Sequence, residues 1–365
     1  MKNTYGNSLT VTLFGESHGE AIGAVIDGIA PGVRVDTDYI NKKLAERRPK
    51  GKISTARVEK DNYTIASGVF NGYTTGTPIA IIIPNENKKS ADYSNLQNTV
   101  RPGHADYTAE CKYHGFQDYR GGGHFSGRIT AALVAAGALV SAALLDKGIK
   151  VGTHISALHG VKDRGFDNIE ADIDALSKAS FPTLSDECGD KMKEVIEDAA
   201  KDGDSVGGIL ESAVIGVPSG VGEPWFDSME GVISHILFSI GGIKGVEFGE
   251  GFGFSDLYGS EANDSFVIKD GKISTKTNKN GGINGGITNG MPIIVRCAVK
   301  PTPSIHKTQS TVNISTLTEE ELIIEGRHDP AIIHRAKSVV DAALAIAVAD
   351  MLTVRYGTDF LSSGK

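Results

Sequence analysis

Apolar residues along the chain group into two kinds of segment, which predict strands and helices in mixed order. Short runs rich in Val and Ile predict β-strands at 9–14, 63–70, 77–84, 207–218 and 291–301. Longer segments predict helices at 37–48, 129–146, 185–203, 226–240 and 331–355. Ser185, which two acidic residues follow, is a typical N-terminal cap for the third of these helices.

Two of the predicted helices are rich in alanine and apolar on nearly all sides. Helices of this kind, here 129–146 and 331–355, are normally buried on both faces. The first is slightly short for a membrane span of about 20 apolar residues, and the second carries Asp341 and Asp350. We therefore expect no membrane association. We expect both helices in the core instead, packed closely through small side chains with sheets laid over them.

The order of the elements predicts the fold class. Strands and helices do not alternate steadily, which argues against a doubly wound parallel sheet and favours an α+β fold. No Pro/Ser-rich linker divides the chain, and strand-like sequence resumes directly after the polar, Gly-rich loop 281–290. We therefore expect a single domain over residues 1–365.

Charge and composition exclude several classes of function. The 365 residues carry a net charge of −8, which argues against nucleic-acid binding but allows a local basic pocket for a small acidic ligand. The scattered Cys111, Cys188 and Cys297 give no disulfide framework and fit a reducing cytosol. The N-terminus has no apolar segment of signal-peptide length. The ten histidines include no H-x-x-x-H or H-E-x-x-H pattern, so no metal site is expected.

Residues 119–128, YRGGGHFSGR, form a segment that we call the glycine loop. The dinucleotide motif G-x-G-x-x-G fails because Ser126 occupies its last position, and the P-loop motif fails because Arg128 and Ile129 replace Lys and Ser/Thr. Glycines ahead of a helix still favour anion binding, since the helix N-terminus offers free N–H donors and partial positive charge. The alternative is an ordinary Gly-rich connection with its arginines in solvent.

Further candidate chemistry lies in short polar motifs. GESHG (15–19) follows the first strand and contains both His18, a potential acid or base, and the hydrolase pattern G-x-S-x-G around Ser17. The sequence after it is strand-like, whereas a nucleophile elbow requires a helix there. RPGHAD (101–106) joins an Arg, a His and an Asp, which together can bind an anion and move a proton; a Pro-Gly turn with surface charges is the alternative. ERRPKGK (46–52) is either a positive gate to an anion site or a solvated helix end.

Taken together, the motifs resemble those of the chorismate synthase family, from about residue 6 to about residue 355. Six motifs occur in the family's order and spacing: FGESHG, RPGHADYT, DYRGGG followed by Ser-x-Arg, GGINGGITNG, KPTPSI and GRHDP. The resemblance implies a β-α-β sandwich with long central helices between antiparallel sheets, a cytoplasmic location and a homotetramer. It also implies a lyase that removes phosphate from 5-enolpyruvylshikimate 3-phosphate by 1,4-anti elimination to give chorismate, in the shikimate pathway to aromatic amino acids.

The resemblance further implies a dependence on reduced FMN, although the overall reaction is redox-neutral. His18 would protonate the departing phosphate, His104 would protonate the reduced flavin near N1, and Asp329 would assist proton removal through flavin N5. The flavin-contacting positions would be His124, Phe125, Ser126, Gly241, Gly242, Gly285, Lys300, Pro301, Thr302, Pro303, Ser304 and Arg327. Arg47 matches a position associated with NADPH, and the acidic substrate would be bound by Arg48, Arg128 and Arg335.

The sequence departs from the family pattern at three places. His124 and Phe125 stand where an Arg-Ser pair is usual, and Ser126 matches the family residue. Gly241-Gly242 replaces an Asn-Ala pair, so that pair offers backbone contacts only. A second basic position downstream of Arg47 has no clear match, with Lys50 or Lys52 as the alternatives. Because the chain shows no appended reductase domain, an external flavin reductase is favoured over reduction of the flavin by NADPH at this chain. Two rival functions stay open from the sequence: a serine hydrolase that uses Ser17, and a non-catalytic flavin-binding protein.

Overall fold

Two five-stranded antiparallel sheets enclose a pair of long helices. The structure is a computed structural model that describes residues 2–49, 51, 53–54, 60–86, 98–324 and 328–362. The first sheet has the spatial order β1 (Thr4–Tyr5), β2 (Thr10–Gly15), β3 (Ala21–Asp27), β7 (Ile79–Pro84), β4 (Thr64–Ile65). The second has the order β11 (Ile243–Phe248), β16 (Ile293–Val299), β10 (Gly208–Ile215), β8 (Lys150–Leu158), β9 (Val161–Lys162).

Four two-stranded hairpins complete the strands of the described residues. They are β5 (Val69–Phe70) with β6 (Tyr73–Thr74), β12 (Phe266–Lys269) with β13 (Lys272–Thr275), β14 (Ile283–Asn284) with β15 (Ile287–Thr288), and β17 (Gln309–Asn313) with β18 (Thr318–Leu322). The helices are α1 (Thr37–Arg47), α2 (Asp106–Tyr113), α3 (Thr130–Leu145), α4 (Ile169–Leu176), α5 (Asp186–Lys201), α6 (Met229–Ser239), α7 (Gly259–Ala262) and α8 (Ile333–Tyr356).

The core is built on α3 and α8, which pack along each other between the sheets. α3 lies against β3 and β7 of the first sheet, and α8 lies against β8 and β10 of the second. A Cβ atom at Gly137 would lie within 3.0 Å of Ala342, so only glycine permits this close approach of the two helices. The predicted α+β class and the sandwich with long central helices are confirmed. The segment Gly127–Leu145 is apolar and long enough to cross a membrane, but 78% of its most apolar stretch is buried in the protein, as in a core helix.

The element predictions need correction at two places. Residues 63–70 do not form one strand: β4 and β5 are separated by Gly68, whose φ of +80° turns the chain. The segment 281–290 is not only a loop, because β14 and β15 form a hairpin around Gly285 and Gly286. Both glycines have positive φ, as a two-residue type I′ turn requires.

The helix-cap prediction at Ser185 is confirmed, because its Oγ accepts a hydrogen bond of 3.4 Å from the backbone N–H of Cys188. The sequence pattern did not reveal several other elements. These are α2, α4, β8, β11, and the hairpins β12–β13 and β17–β18.

Candidate active site

The glycine loop is shaped by three consecutive glycines with left-handed backbone. Gly121, Gly122 and Gly123 have φ values of +58°, +82° and +52°. A Cβ at Gly121 would lie within 3.0 Å of the His18 ring, and one at Gly123 would collide with the carbonyl oxygen of Asp118. A Cβ at Gly122 would lie 3.1 Å from Cε1 of His104. The run therefore lets backbone pack directly against two histidines that are 86 residues apart in sequence.

His18 is buried in the turn between β2 and β3, where it contacts the loop. Its Nδ1 lies 3.2 Å from Oγ of Ser17, and that Oγ lies 3.2 Å from the carbonyl oxygens of Arg120 and Gly121. Since the Ser17 hydroxyl donates its single hydrogen to one of these carbonyls, Nδ1–H of His18 donates to Ser17, and Nε2 is the ring nitrogen that gains or loses a proton when the imidazole titrates. The turn leads into a strand, so the helix that a nucleophile elbow requires after Ser17 is absent from this described segment.

His104 is held by a charged partner on α2. Its Nδ1 lies 2.7 Å from Oδ1 of Asp106, and Arg101 binds both oxygens of the same carboxylate at 2.8 and 2.7 Å. Burial alone would raise the pKa of Asp106, but its bonds to Arg101 and His104 outweigh it and hold this pKa far below its usual range. A carboxylate fixed in the ionised form orients the imidazole, whose Cε1–Nε2 edge lies against Gly122.

The three predicted flavin contacts at the end of the loop have distinct neighbours. Nδ1 of His124 donates to the carbonyl oxygen of Gly15 at 2.8 Å, so this histidine ties the loop to the end of β2. Phe125 is half exposed and meets Tyr113 edge to face at 6.1 Å. Oγ of Ser126 accepts from the backbone N–H of Arg128 at 3.2 Å and so caps the turn that leads into α3.

Three arginines converge on one buried carboxylate and form what we call the arginine cluster: Arg47, Arg48, Arg128 and Asp61. Arg47 Nη2 and Arg48 Nε lie 3.3 and 3.4 Å from Oδ2 of Asp61, and Arg128 pairs with Oδ1. Burial raises the pKa of Asp61, but Arg47 and Arg128 more than reverse this effect, so its pKa is lowered. Burial also lowers the pKa of Arg47 to about 10, with Asp61 opposing the change. The cluster carries more positive than negative groups and can attract an anion.

Asn85 connects the arginine cluster to the His18 turn. Its Nδ2 donates to the carbonyl oxygens of Glu16 and Gly19 at 2.9 and 3.1 Å, and its Oδ1 accepts from Arg128 Nε at 3.0 Å. Asn85 is buried just after β7. The phosphate-protonating histidine implied by the resemblance and the arginines therefore belong to one site.

Arg335 connects the start of α8 to this site. Its Nε donates to the carbonyl oxygen of Arg47 at 2.9 Å, and its Nη1 pairs with Asp329. The structure thus brings Arg335 and Asp329 to the arginine cluster, which contains Arg48 and Arg128. Arg327, the remaining predicted contact of the GRHDP motif, lies outside the described residues.

The KPTPS stretch (300–304) packs on the turn that carries His104. Lys300 Nζ donates to the carbonyl oxygen of Gly103, and a Cβ at Gly103 would lie 3.4 Å from Pro303. The backbone N–H of Lys300 donates to the carbonyl oxygen of Gly242 at 2.9 Å, which also brings the Gly241-Gly242 pair to this stretch. Lys300, Pro303 and Gly242 are therefore adjacent to the turn that carries His104.

Gly285, another predicted flavin contact, does not pack on the His104 turn. Its hairpin turn is bound to the start of α6, where the N–H of Met229 donates to the carbonyl oxygen of Gly286 at 2.9 Å. Gly222, in the segment before α6, forms an isolated bridge with Ile287. Within the described residues, no hydrogen bond joins this turn to the glycine loop or the arginine cluster.

The residues present fit a bound flavin. Oγ1 of Thr302 is buried and has no hydrogen-bond partner among the described residues, while the carbonyl oxygen of Thr302 accepts from Ser205 at 2.7 Å. An orphaned buried hydroxyl usually indicates a missing partner. The arginine cluster carries the cationic groups that suit a phosphate, and a Cβ at Gly127 in the glycine loop would meet no atom within 4 Å.

Some residues that build the site were not among the predicted ones. Arg101 and Asp106 lie inside the RPGHAD motif, whose composition indicated proton transfer, but the resemblance singled out only His104. Asp61 and Asn85 stand in no recognisable motif. Their roles depend on contacts with residues at least 13 positions away, which a single sequence does not show.

Comparison with known proteins identifies the family of the chain. The family model described as chorismate synthase matches residues 9–353. The chorismate synthase of Pyrococcus abyssi is 45% identical over 359 residues, covering 98% of this chain and 99% of that protein. That of Dehalococcoides mccartyi is 45% identical over 360 residues, covering 98% of both. A crystal structure of chorismate synthase superposes with a TM-score of 0.75 at 30% identity, covering 96% of this chain and 94% of that one. The chain therefore belongs to the chorismate synthase family.

Proposed function

We propose that this chain converts 5-enolpyruvylshikimate 3-phosphate into chorismate and inorganic phosphate by 1,4-anti elimination, which makes it a carbon–oxygen lyase of the shikimate pathway. The observation that carries the proposal is the junction of His18, His104 and the arginine cluster around one glycine loop. Proton carriers and anion binders are the groups that loss of phosphate from a polyanionic substrate requires.

The arginines bind and orient the substrate. It carries one phosphate and two carboxylates, and anions removed from water must be paired with cations or N–H donors. Arg48, Arg128 and Arg335 would supply these contacts, with Arg47 buried behind them against the carbonyl oxygen of Gly127 and Thr130. Asp61 pairs with three of these arginines and would offset part of their charge in the absence of the substrate anion.

His18 would give the proton that the departing phosphate needs. Ser17 fixes the proton on Nδ1, which leaves Nε2 to deliver the second proton of the imidazolium form. Asp329, held by Arg335, would assist removal of the ring proton. One proton reaches phosphate and one leaves the ring, so a turnover ends with no net change in protons.

His104 donates its Nδ1–H to Asp106, so the second proton of its imidazolium form would sit on Nε2, on the side of the ring that faces the glycine loop. The residues that would hold reduced FMN are His124 to Ser126, Gly241-Gly242 and Lys300 to Ser304, with Arg327 and Gly285 added by the resemblance. When bound, reduced FMN supplies an electron that helps to expel phosphate and is recovered afterwards. The protein excludes water and positions the charged groups.

The test of this function is an anaerobic assay with photoreduced FMN and 5-enolpyruvylshikimate 3-phosphate. The proposal predicts equimolar phosphate and chorismate. Binding of FMN without either product would instead favour the non-catalytic flavin protein, and labelling of Ser17 by a fluorophosphonate would favour the hydrolase.

The source of electrons is a separate proposal. We propose that the chain acts in the cytoplasm, which its three scattered cysteines fit, and that an external flavin reductase supplies the reduced flavin. Aerobic assay with NADPH and FMN, and with no other protein added, decides the point. Absence of turnover there, together with activity under photoreduction, is the expected result. Aerobic turnover would show that the chain reduces its own flavin and would give Arg47 a role in binding NADPH.

A further inference from the structure

Arg47 ends α1 and Arg48 follows it directly, and α8 holds the last turn of α1 at two points. Arg335 donates from Nε to the carbonyl oxygen of Arg47 at 2.9 Å. Two residues further along α8, Lys337 Nζ lies 3.2 Å from Oε2 of Glu46, the residue before Arg47. Only the first of these contacts belongs to a residue of the predicted site.

The second contact is part of a buried ion-pair network of four side chains: Lys43, Glu46, Lys337 and Asp341. Lys43 Nζ lies 3.1 Å from Glu46 and 3.6 Å from Asp341, and Lys337 Nζ lies 2.8 Å from Asp341. The Lys337 side chain is only 7% exposed. Burial alone would lower the pKa of Lys337, but Asp341 and Glu46 raise it above its usual value, so the ammonium group stays charged.

Stability alone does not explain such a network. Desolvation of buried ions offsets most of their attraction, and replacement by packed apolar residues is often neutral or stabilising. Buried ion pairs do fix geometry, because charge and direction must both be matched. Here they fix the rotation of α1 about its axis and its position along α8. The contact at Glu46 is one residue from Arg47, the first arginine of the cluster.

Arg47 needs such support because its own bonds are long. Its Nη atoms lie 3.3 to 3.4 Å from Asp61, the carbonyl oxygen of Gly127 and Thr130, at or beyond the usual range for N–H···O bonds. Bonds of this length hold a guanidinium weakly, so the position of the group follows that of its helix. A displacement of about 1 Å in a positioning group can lower the reaction rate about 10²-fold.

We propose that Lys337 is a positioning residue for the arginine cluster, acting through Glu46 on the last turn of α1. The inference rests on the proposed function in that the cluster is taken to bind the substrate's anionic groups. Lys337 itself touches neither substrate nor cofactor in this account. Its removal weakens anion binding and leaves proton transfer at His18 and His104 in place.

The experiment compares Lys337→Met, Glu46→Gln and the double variant with wild type. Calorimetry gives Kd for inorganic phosphate and for 5-enolpyruvylshikimate 3-phosphate, and the anaerobic assay gives KM and kcat. Each single variant should raise Kd and KM about tenfold, with a much smaller change in kcat, since a loss near tenfold is typical of disrupted charged contacts. The double variant should be no worse than the poorer single one, and Lys337→Arg should recover part of the affinity.

The matched control is Asp350→Asn on the same helix. Asp350 is also buried, but it accepts from the backbone N–H groups of Asn7, Ser8 and Leu9 rather than from α1. The substitution Asp350→Asn should lower the melting temperature without changing Kd for either ligand. Unchanged Kd in folded Lys337→Met, or additive effects in the double variant, would overturn the inference. Because phosphate affinity needs no turnover, an inactive wild type would contradict the proposed function and leave this comparison decisive.

Discussion

At the scale of single residues, the candidate site depends on positions where glycine leaves no Cβ atom. Gly121 is the sharpest case, because a Cβ there would lie within 3.0 Å of both the His18 ring and Oγ of Ser17, on a backbone with φ of +58°. We predict that Gly121→Ala folds but displaces His18, with a loss of at least about 10²-fold in kcat, the typical contribution of a positioned acid. The measurement is anaerobic chorismate formation at saturating substrate.

Gly127 provides the control in the same loop. A Cβ at Gly127 would have no atom within 4 Å, and its carbonyl oxygen, which accepts from Arg47, is unaffected by the substitution. Gly127→Ala should therefore retain nearly full activity. Equal losses in both variants would mean that the loop tolerates no added side chain anywhere, and would contradict the specific role given to Gly121.

Single residues also show how far sequence reasoning reaches. His18, His104 and Arg128 could be predicted because each stands in a short motif whose residue types indicate its chemistry. Asp61 could not, since its role comes from three arginines that fold around it. The sequence left open what His124 does where an arginine is usual, and the structure gives it a bond to the carbonyl oxygen of Gly15.

At the scale of elements, long apolar segments were predictable and short or polar ones were not. The helices α3 and α8 were identified within a few residues because their apolar, alanine-rich composition has one stable environment, the core. The strand β8 was missed although it lies inside the second sheet. It contains Gly152, which is depleted in strands, and the polar His154 within the run, and its place depends on pairing with β10.

His154 explains how β8 accepts a charged residue in the core. It is fully buried, with Nδ1 at 3.3 Å from Asp163 and Nε2 at 3.2 Å from Glu211 on β10. Burial lowers the pKa of His154, but the bonds to Asp163 and Glu211 outweigh it, so the pKa is raised above 6.5. The folded state therefore holds this proton more tightly than the unfolded state does.

This linkage predicts a pH dependence of stability. The contribution of His154 is fully present below pH about 6.5, the ordinary histidine pKa, and is lost as the pH rises through the higher folded-state value. Denaturant unfolding between pH 6 and 9 should show wild type losing free energy of unfolding more steeply than His154→Gln. Parallel pH profiles for the two proteins would contradict the assignment of a charged imidazole.

At the scale of the whole molecule, the surface suggests that the chain assembles. Large apolar side chains are exposed just before α6, at Trp225 and Phe226, and on the hairpin β12–β13, at Phe266 and Ile268. Exposed apolar surface beyond scattered single residues is typical of protein–protein contact sites. Light scattering should give the mass of four 38.5 kDa chains, in keeping with the predicted homotetramer. A monomeric mass at assay concentration would count against it.

The central claim is that His18 and His104, seated against adjacent glycines of one loop, are the proton carriers of the elimination. The most direct test is the anaerobic rate of chorismate formation by His18→Ala and His104→Ala with photoreduced FMN. We predict that each variant keeps its fold and loses about 10²-fold or more in kcat. Turnover close to that of wild type in both variants would contradict the account.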